Sequence, residues 1–174
     1  MTTISDATNY NLPSDYIFER QPWGDFFYKT YGPMSYFDGK NQCESDGSYL
    51  AFPRSDAENN WLRDLFDNTR NIWIGLDDLD QEGVWMTNDG LPFGYSNWIS
   101  ETAMRQPDNH QGAHHAVTLF ANSWNGKWGD EYPGTELMEV ICAYNIALHN
   151  ANTPPVSDGE SQKYRMGINK LIQP

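Results

Sequence analysis

A long stretch without periodicity, residues 99–116, constrains this chain more than any other feature of its sequence. It shows neither the spacing of apolar residues that marks an amphipathic helix nor the alternation that marks a strand. A loop of this length inside a compact domain is usually either functional or disordered. Because two runs typical of strands follow it directly, we expect an ordered loop that carries function.

Oxygen-bearing side chains stand in this loop and just beyond it. Gln106 and Asp108 flank Pro107, and Asp130 follows the second of the strand-like runs. A cis bond before Pro107 would place the first two side chains in a tight turn, and cis bonds occur almost only before proline. Amide and carboxylate oxygens are the ligands that calcium prefers. Sugar hydroxyls can take the coordination positions that the protein leaves open, so the pattern favours a calcium site that holds a sugar.

The composition limits the classes of partner. The chain carries a net charge of −13, which argues against binding to nucleic acid or to an anionic membrane surface. No apolar segment is long enough to span a bilayer, so we expect no membrane insertion. Hydrophobic residues make up 39% of the chain, which is enough for the core of one domain. The many Trp and Tyr residues fit either an aromatic-rich core or a surface that binds sugars.

Local patterns predict a domain with both helices and strands. Ser35 is a suitable N-cap for a helix that reaches Cys43, and Ser55 with Glu58 forms a capping box that opens a second helix. Apolar and aromatic runs predict strands at 26–31, 71–76, 116–121, 126–128 and 138–144, with a hairpin-like unit at 84–95.

The histidines of the loop do not form a catalytic motif. His110 and His114 have the spacing of a zinc-protease pair, but the Glu that would act as general base is missing and Gly112 disfavours the helix. The chain also lacks a Ser-centred elbow, a phosphate-binding loop and a dinucleotide fingerprint, so we expect a protein that is not an enzyme. Imidazole and carboxylate suit zinc, nickel or copper, so a transition-metal site made of His114, Asp108 and Asp130 is the better alternative.

In combination, these features resemble those of C-type lectin domains. The residues that carry the resemblance are Cys43, Trp73-Ile74-Gly75-Leu76, Gln106-Pro107-Asp108, Trp128-Gly129-Asp130 and Cys142. The resemblance implies an α+β fold of the C-type lectin-like type, with two helices flanking small antiparallel sheets and a long functional loop. The domain would occupy residues 25–146, with an N-terminal tail at 1–24 and a C-terminal extension or linker at 147–174.

The resemblance also implies a main calcium site. In the family, calcium is bound by the side chains on either side of the proline, a later Glu, and the Asn and Asp of a Trp-Asn-Asp triplet. Gln106, Asp108 and Asp130 match three of these ligands. His114 stands at the Glu position and Gly129 at the Asn position. Since imidazole is a poor ligand for a hard cation and glycine offers no side chain, we expect weak calcium binding, a rearranged site or no calcium there.

Calcium in these sites binds two neighbouring sugar hydroxyls, and the Gln-then-Asp order is that of the family's galactose-type members. His110 stands where such sites often carry an aromatic ring that packs on the apolar face of the sugar. Trp98 and Trp124 are alternatives, although core packing explains Trp98 better. The predicted sugar-binding residues are Gln106, Asp108, His110, His114, Trp124 and Asp130.

An acidic turn at residues 77–83 has two interpretations. It is either a solvated loop or an auxiliary calcium site, for which the resemblance names Asp78, Glu82 and Asn109 as ligands. Glu101 lies in a loop that is longer than the family's usual one, and it is a candidate to replace the carboxylate that the main site has lost.

The two cysteines leave the redox state open from the residues alone. They fit either two free thiols, as in a cytosolic protein, or one disulfide. The family's long disulfide joins the positions of Cys43 and Cys142. The resemblance therefore implies that the two are bonded and that the protein is secreted or lies at the cell surface.

We expect a carbohydrate-binding lectin, calcium-dependent and galactose-type, that acts in recognition or adhesion. Its partners would be galactose-type glycans. Because weak single sites usually work through multivalency, we also expect an oligomer or a larger multidomain protein. The alternative is a C-type lectin-like module that binds a protein or ice without calcium-mediated sugar binding, and the residues at positions 114 and 129 favour that alternative.

Overall fold

The computed structural model describes residues 6–152, and the fold is given for that range. The strands are β1 (Ile17–Gln21), β2 (Gly24–Met34), β3 (Tyr49–Leu50), β4 (Ile72–Asp77), β5 (Met86–Thr87), β6 (Ala116–Phe120), β7 (Lys127–Glu131) and β8 (Met138–Asn145). The α-helices are α1 (Tyr36–Ser45), α2 (Asp56–Asp64) and α3 (Ile146–Asn152). Short 3-10 helices lie at Ala7–Tyr10 and His110–Gly112. The mixed content predicted from the sequence is confirmed.

The strands form one connected sheet rather than separate small ones. Its main path runs β1-β2-β8-β4-β6-β7, with β3 added beside β8 and β5 beside β4. The β4–β8 pair is parallel, and the other pairs are antiparallel. Because β4 and β8 are neighbours, the antiparallel strands that we expected in small sheets are joined across the centre of the domain.

Helix α1 is fixed to the sheet at two points. The side chain of Ser35 accepts a hydrogen bond from the Asp38 backbone N–H, which confirms the predicted N-cap. Gly39 faces β8 so closely that a Cβ atom there would lie 2.6 Å from Val140 Cγ2. A disulfide joins Cys43 to Cys142 and ties the helix to β8, as the sequence predicted.

Helix α2 is hydrogen-bonded to the β6–β7 hairpin through Asn59. Its predicted N-cap is confirmed, because Ser55 Oγ accepts a hydrogen bond of 3.2 Å from the Glu58 backbone N–H. Asn59 is buried, and its Oδ1 accepts a hydrogen bond of 2.7 Å from the indole Nε1 of Trp128. Its amide nitrogen donates to the carbonyl of Gly126 in the hairpin turn at 3.0 Å. These bonds fix β7 relative to the core, and β7 ends at the candidate site.

The N-terminal segment corrects one expectation. Residues 6–24 do not form a tail, because Ile17–Gln21 is a strand paired with β2 and the side chains of Leu12 and Tyr16 are buried. The hydroxyl of Tyr16 lies 2.7 Å from Ser48 Oγ. The sequence does not predict this strand, because the segment is polar, contains two prolines and has no strand periodicity. Pairing with β2 stabilises it instead.

Two further expectations change. Only Met86–Thr87 of the hairpin-like unit at 84–95 forms a strand, and it pairs with β4. Residues 91–95 form no second strand, so the unit is not a hairpin. Residues 147–152 form most of α3 rather than a linker. Residues 153–174 lie outside the described residues, so the division of the chain into domains stays a prediction.

His149 on α3 is stacked between two tyrosine rings. Its ring centroid lies 5.1 Å from that of Tyr49 and 4.6 Å from that of Tyr144. Burial lowers the pKa of His149, Asp89 opposes this and Arg54 adds to it. Because the unfolded chain then binds the proton more readily, this site contributes stability above the ordinary His pKa of about 6.5 that is lost as the pH falls below it.

The variant His149→Phe tests this effect, since phenylalanine keeps a ring in the stack and cannot be protonated. We expect its free energy of unfolding, measured in urea, to rise relative to that of the wild type as the pH falls from about 7.5 to about 5. The variant Leu137→Ala, at a residue that is 65% exposed and carries no ionisable group, is the control and should keep the wild-type slope. Parallel pH profiles for His149→Phe and the wild type would show that His149 does not titrate differently on folding.

Candidate cation and ligand site

The long loop is ordered and is held along β7. Ile99 donates a backbone hydrogen bond of 3.0 Å to Trp128, and Trp128 donates one of 2.9 Å to Asn97. Gln106 donates from its backbone to the Ile99 carbonyl at 2.9 Å, which closes the first half of the loop. The Gln106–Pro107 bond is cis. The expectation of an ordered loop is confirmed.

Trp98 belongs to the core and not to the site. Its ring centroid lies 5.2 Å from that of Trp85 and 5.8 Å from that of Trp128. The core interpretation preferred for Trp98 is therefore confirmed.

Asp130 organises the turn that follows the proline. Its residue is 2% exposed, and its two carboxylate oxygens accept hydrogen bonds from consecutive backbone N–H groups. Oδ1 accepts from Asp108 at 2.9 Å and Oδ2 accepts from Asn109 at 2.7 Å. Hydrogen bonds to an ionised acceptor are roughly twice as strong as neutral ones. Asp130 therefore sets the shape of the turn before any ligand is considered.

Two other predicted residues contact the same part of β7. Gln106 Oε1 accepts a hydrogen bond of 3.3 Å from the Asp130 backbone N–H. His114 Nδ1 lies 3.0 Å from the Asp130 carbonyl oxygen. A carbonyl oxygen only accepts, so Nδ1 carries the hydrogen and Nε2 of neutral His114 keeps a lone pair.

Asp108, His114 and Asp130 form a group with the spacing of metal ligands. Each offers one nitrogen or oxygen atom, and these atoms lie within 4.8 Å of one another. The ring of His110 stands beside the group, with its centroid 5.4 Å from that of His114. The structure thus brings together five of the six residues that the sequence predicts for sugar binding: Gln106, Asp108, His110, His114 and Asp130.

Trp124 is not part of this arrangement. It lies in the turn between β6 and β7, where the neighbouring Gly126 is bonded to Asn59 of α2. Asp130 lies near the other end of β7, roughly 10 Å along the strand from Lys127 at about 3.3 Å per residue. Trp124 therefore lies at the turn of the hairpin, whereas Asp130 lies toward the opposite end of β7.

A second group lies under the acidic turn. One atom each of Asp78, Glu82 and His115 lie within 4.8 Å of one another. His115 Nδ1 is 3.1 Å from Asp78 Oδ1 and 3.4 Å from Glu82 Oε2. The side chain of Asp78 is 0% exposed, and its Oδ2 accepts a hydrogen bond from the Gly83 backbone at 2.7 Å.

The sequence predicted Asp78 and Glu82 for an auxiliary site but missed His115. One signal was available, since His114 and His115 directly precede a strand, where consecutive side chains point to opposite sides. Asn109, the third predicted ligand, has a buried Oδ1 atom for which the described part of the chain offers no hydrogen-bond partner. Glu101 belongs to neither group within residues 6–152, and its carboxylate accepts from the Ser100 backbone.

The main group fits calcium poorly. Two of the five ligands that the resemblance implies are replaced, one by imidazole and one by glycine. A Cβ atom at Gly129 would lie 2.6 Å from Phe120 Cε2 and 3.3 Å from Gln106 Cγ. The place of the lost Asn side chain is therefore already filled. Calcium prefers a shell of hard oxygens, and this group offers too few.

Carboxylates concentrate negative charge around the main group. Burial raises the pKa of the Glu131 carboxyl, His114 opposes the rise, and the carboxylates of Glu136, Asp130 and Asp108 add to it. Such a field attracts cations of any kind and does not select among them.

Comparison with known proteins decides the family. The family model described as "Lectin C-type domain" matches residues 32–144. The chain belongs to the C-type lectin domain family.

Individual members show how far the likeness extends. The mannose-binding protein of Gallus gallus is 40% identical over 86 residues, which are 49% of this chain and 32% of that protein. Tetranectin of Mus musculus is 33% identical over 118 residues, which are 66% of this chain and 56% of that protein. The chain therefore spans about a third to just over half of these two relatives. Neither is named as an enzyme.

A solved structure confirms the C-type lectin-like fold. The carbohydrate-recognition domain of cow CD23, solved in the presence of a GlcNAc2Man3 oligosaccharide, matches with a TM-score of 0.63 and 28% identity. The match covers 76% of this chain and 95% of that one. Among the described residues of the present C-type lectin domain, no helix has the length and apolarity needed to cross a membrane.

The variant Asp130→Asn tests the role of the buried carboxylate in the absence of metal. An amide offers one acceptor, so one of the two loop N–H groups would face an NH2 group. We expect a loss of about 1–3 kcal/mol in the free energy of unfolding, measured in urea with EDTA. The matched control is Asp108→Asn, because that carboxylate is exposed and accepts one backbone bond, from His110. Equal losses in the two variants would contradict the assignment.

The variant Gly129→Asn tests whether the family's triplet can be restored. The new side chain would meet the ring of Phe120, and overpacking of this kind costs about 1–3 kcal/mol. We expect a lower free energy of unfolding for Gly129→Asn, and a smaller loss when the same change is made in a Phe120→Ala background and compared with that single variant. A stable Gly129→Asn variant that binds calcium as well as the wild type does, or better, would show that the space is available after all.

Proposed function

We propose that this C-type lectin domain binds carbohydrate at its long loop and acts in recognition or adhesion. The observation that carries the proposal is the gathering of Gln106, Asp108, His114 and Asp130 at one end of that loop. Family membership supports the class of function. The arrangement supplies both donors and acceptors on a rigid base, which is what sugar hydroxyls require.

The polar groups of the site have complementary roles toward hydroxyls. The exposed Asp108 carboxylate and His114 Nε2 can accept hydrogens from neighbouring sugar hydroxyls. Gln106 uses Oε1 on the Asp130 backbone, and its amide nitrogen can donate to a sugar oxygen. The exposed ring of His110 offers an apolar face for packing on the sugar. The Gln-then-Asp order around Pro107 supports galactose-type glycans as the ligands.

Calcium dependence stays a prediction, and the hydrogen bonds to sugar hydroxyls described above do not require calcium. Calcium is the ion that the resemblance implies, whereas the main group provides only part of the expected oxygen shell. The polar contacts described above are made by side chains of the chain itself. A cation at the group would add its charge and orient hydroxyls.

The setting of the domain is also part of the proposal. The Cys43–Cys142 disulfide supports a secreted or cell-surface protein, because such bonds persist in oxidising compartments. The net charge of −13 disfavours nucleic acid as a partner. Because weak single sites usually work through multivalency, we propose that the domain works as an oligomer or within a larger multidomain protein.

Isothermal titration of EDTA-treated protein with galactose and with mannose, each repeated in calcium, tests the proposal. We expect heat with galactose and little with mannose, and at least about a tenfold loss of affinity in Asp108→Ala. The control Asp15→Ala removes an exposed carboxylate that pairs with Lys29, far along the chain from the loop, and should bind like the wild type. Absence of heat with both sugars in the millimolar range, with and without calcium, would contradict the proposal.

A second function is favoured by one observation. Phe120 fills the place of a lost ligand, and such a change is compatible with a module that binds a protein or ice without calcium-mediated sugar binding. Inhibition of ice recrystallisation by the wild type, lost in variants of exposed loop residues and not accompanied by sugar binding, would support that alternative.

A further inference from the structure

Two adjacent histidines complete two separate groups of carboxylates. His114 joins Asp108 and Asp130, and His115 joins Asp78 and Glu82. Each group therefore consists of two carboxylates and one imidazole. The two groups lie on either side of the chain where it enters β6.

We propose that both groups are sites for a transition-metal dication of the zinc type, in place of calcium. The proposal rests on the proposed function in one respect, since it names the ion at the glycan site. It arises from the poor fit of the donors to calcium. Calcium prefers a shell of oxygens alone, whereas mixed imidazole and carboxylate donors suit zinc, nickel or copper.

The distances in the second group match zinc geometry. With metal–ligand distances of about 2.1 Å, two ligands of a tetrahedral zinc ion lie about 3.4 Å apart. His115 Nδ1 is 3.1 Å from Asp78 Oδ1 and 3.4 Å from Glu82 Oε2. The third pair, the oxygens of Asp78 and Glu82, lies within 4.8 Å, so the three atoms have the spacing of ligands to one ion.

The buried carboxylate of Asp78 requires a positive partner. Its side chain is 0% exposed, and moving an isolated charge out of water is costly. A bound dication would supply that charge. With a dication, both carboxylates of the group and neutral His115 would be ligands at once.

In the main group, hydrogen bonding prepares His114 as a ligand. Metal-bound histidines almost always donate their second ring N–H to a carbonyl, a carboxylate or water. His114 Nδ1 donates to the Asp130 carbonyl in this way and leaves Nε2 with its lone pair. Asp130 is fixed by two backbone N–H groups, and each of its oxygens keeps a further lone pair. Asp108 is exposed and can turn toward the ion.

The count of ligands leaves each ion open on one side. Three protein ligands fill three of the four tetrahedral positions of zinc, and water or another oxygen takes the fourth. Because Asp108 of the main group is exposed, a sugar hydroxyl would be able to take that position.

The test is titration of the EDTA-stripped full chain with zinc chloride and with calcium chloride, by calorimetry and by elemental analysis after dialysis. We expect two zinc ions per chain and calcium binding at least about 100-fold weaker. His114→Gln and His115→Gln should each remove one zinc ion or weaken it at least about tenfold, which is the low end of the loss seen even for hydrogen-bond partners of metal ligands. The control is His149→Phe, which removes the histidine that packs on Tyr49 and Tyr144 and belongs to neither group, and it should keep both ions.

Replacing each imidazole by a carboxylate provides the converse test. His114→Glu with His115→Asp should weaken zinc and strengthen calcium, because it restores hard oxygen donors. Cobalt titration gives a readout that a structural role would not change, since its visible spectrum reports nitrogen ligation and low coordination number. We expect that spectrum to weaken by about half in each single histidine variant.

The outcomes separate this inference from the proposed function. Zinc binding that is absent, or that persists unchanged in both single variants, overturns the inference, even if galactose binds. Two zinc ions lost one by one in the variants support it, even if no sugar binds, and in that case only the proposed function fails. Calcium binding equal to or stronger than zinc binding in the wild type also overturns it.

Discussion

The hydrogen bonds of the Asp130 carboxylate are the interactions on which the long loop and its candidate site depend. The carboxylate is buried at the end of β7, and it accepts hydrogen bonds from two consecutive N–H groups of the loop. An unpaired charge at that depth would be costly, so the loop must present those groups to it. Gln106 and His114 bond to the backbone of the same residue. Asp130 therefore positions these polar groups, which we assign to ligand binding, through both its side chain and its backbone.

The geometry of Asp130 is in turn set by the core. Its strand is held at Trp128, whose indole donates to Asn59 of α2, and Asn59 also bonds to the turn that begins the strand. The loop therefore has little freedom of its own, and a change in the packing of α2 would be felt at the site. The disulfide between Cys43 and Cys142 holds the other helix to the same sheet. This arrangement explains why a loop without regular structure can present ligands at fixed positions.

The chemistry of the site differs from that of the family pattern in one consistent direction. His114 occupies a position where the family pattern has a carboxylate. The second group, which contains Asp78 and Glu82, also contains a histidine, His115. Where the family has Asn, Gly129 leaves no room for a side chain because Phe120 packs against it. Oxygen donors are thus lost and nitrogen donors gained. Mixed imidazole and carboxylate donors of this kind suit zinc, nickel or copper better than calcium.

Interactions between residues close in the chain allowed the sequence by itself to determine many of the helix starts and strands of this protein. The caps at Ser35 and Ser55, most of the strands and the ordered loop follow from hydrogen-bonding groups and periodicities that span a few residues. Resemblance to the family then indicated the Cys43–Cys142 disulfide and most residues of the main group. Only the tertiary structure decided that residues 17–21 join the sheet, that His115 meets Asp78, and that Phe120 fills the place of a ligand. These facts depend on strand register and on packing between residues far apart in the chain, which no local pattern encodes.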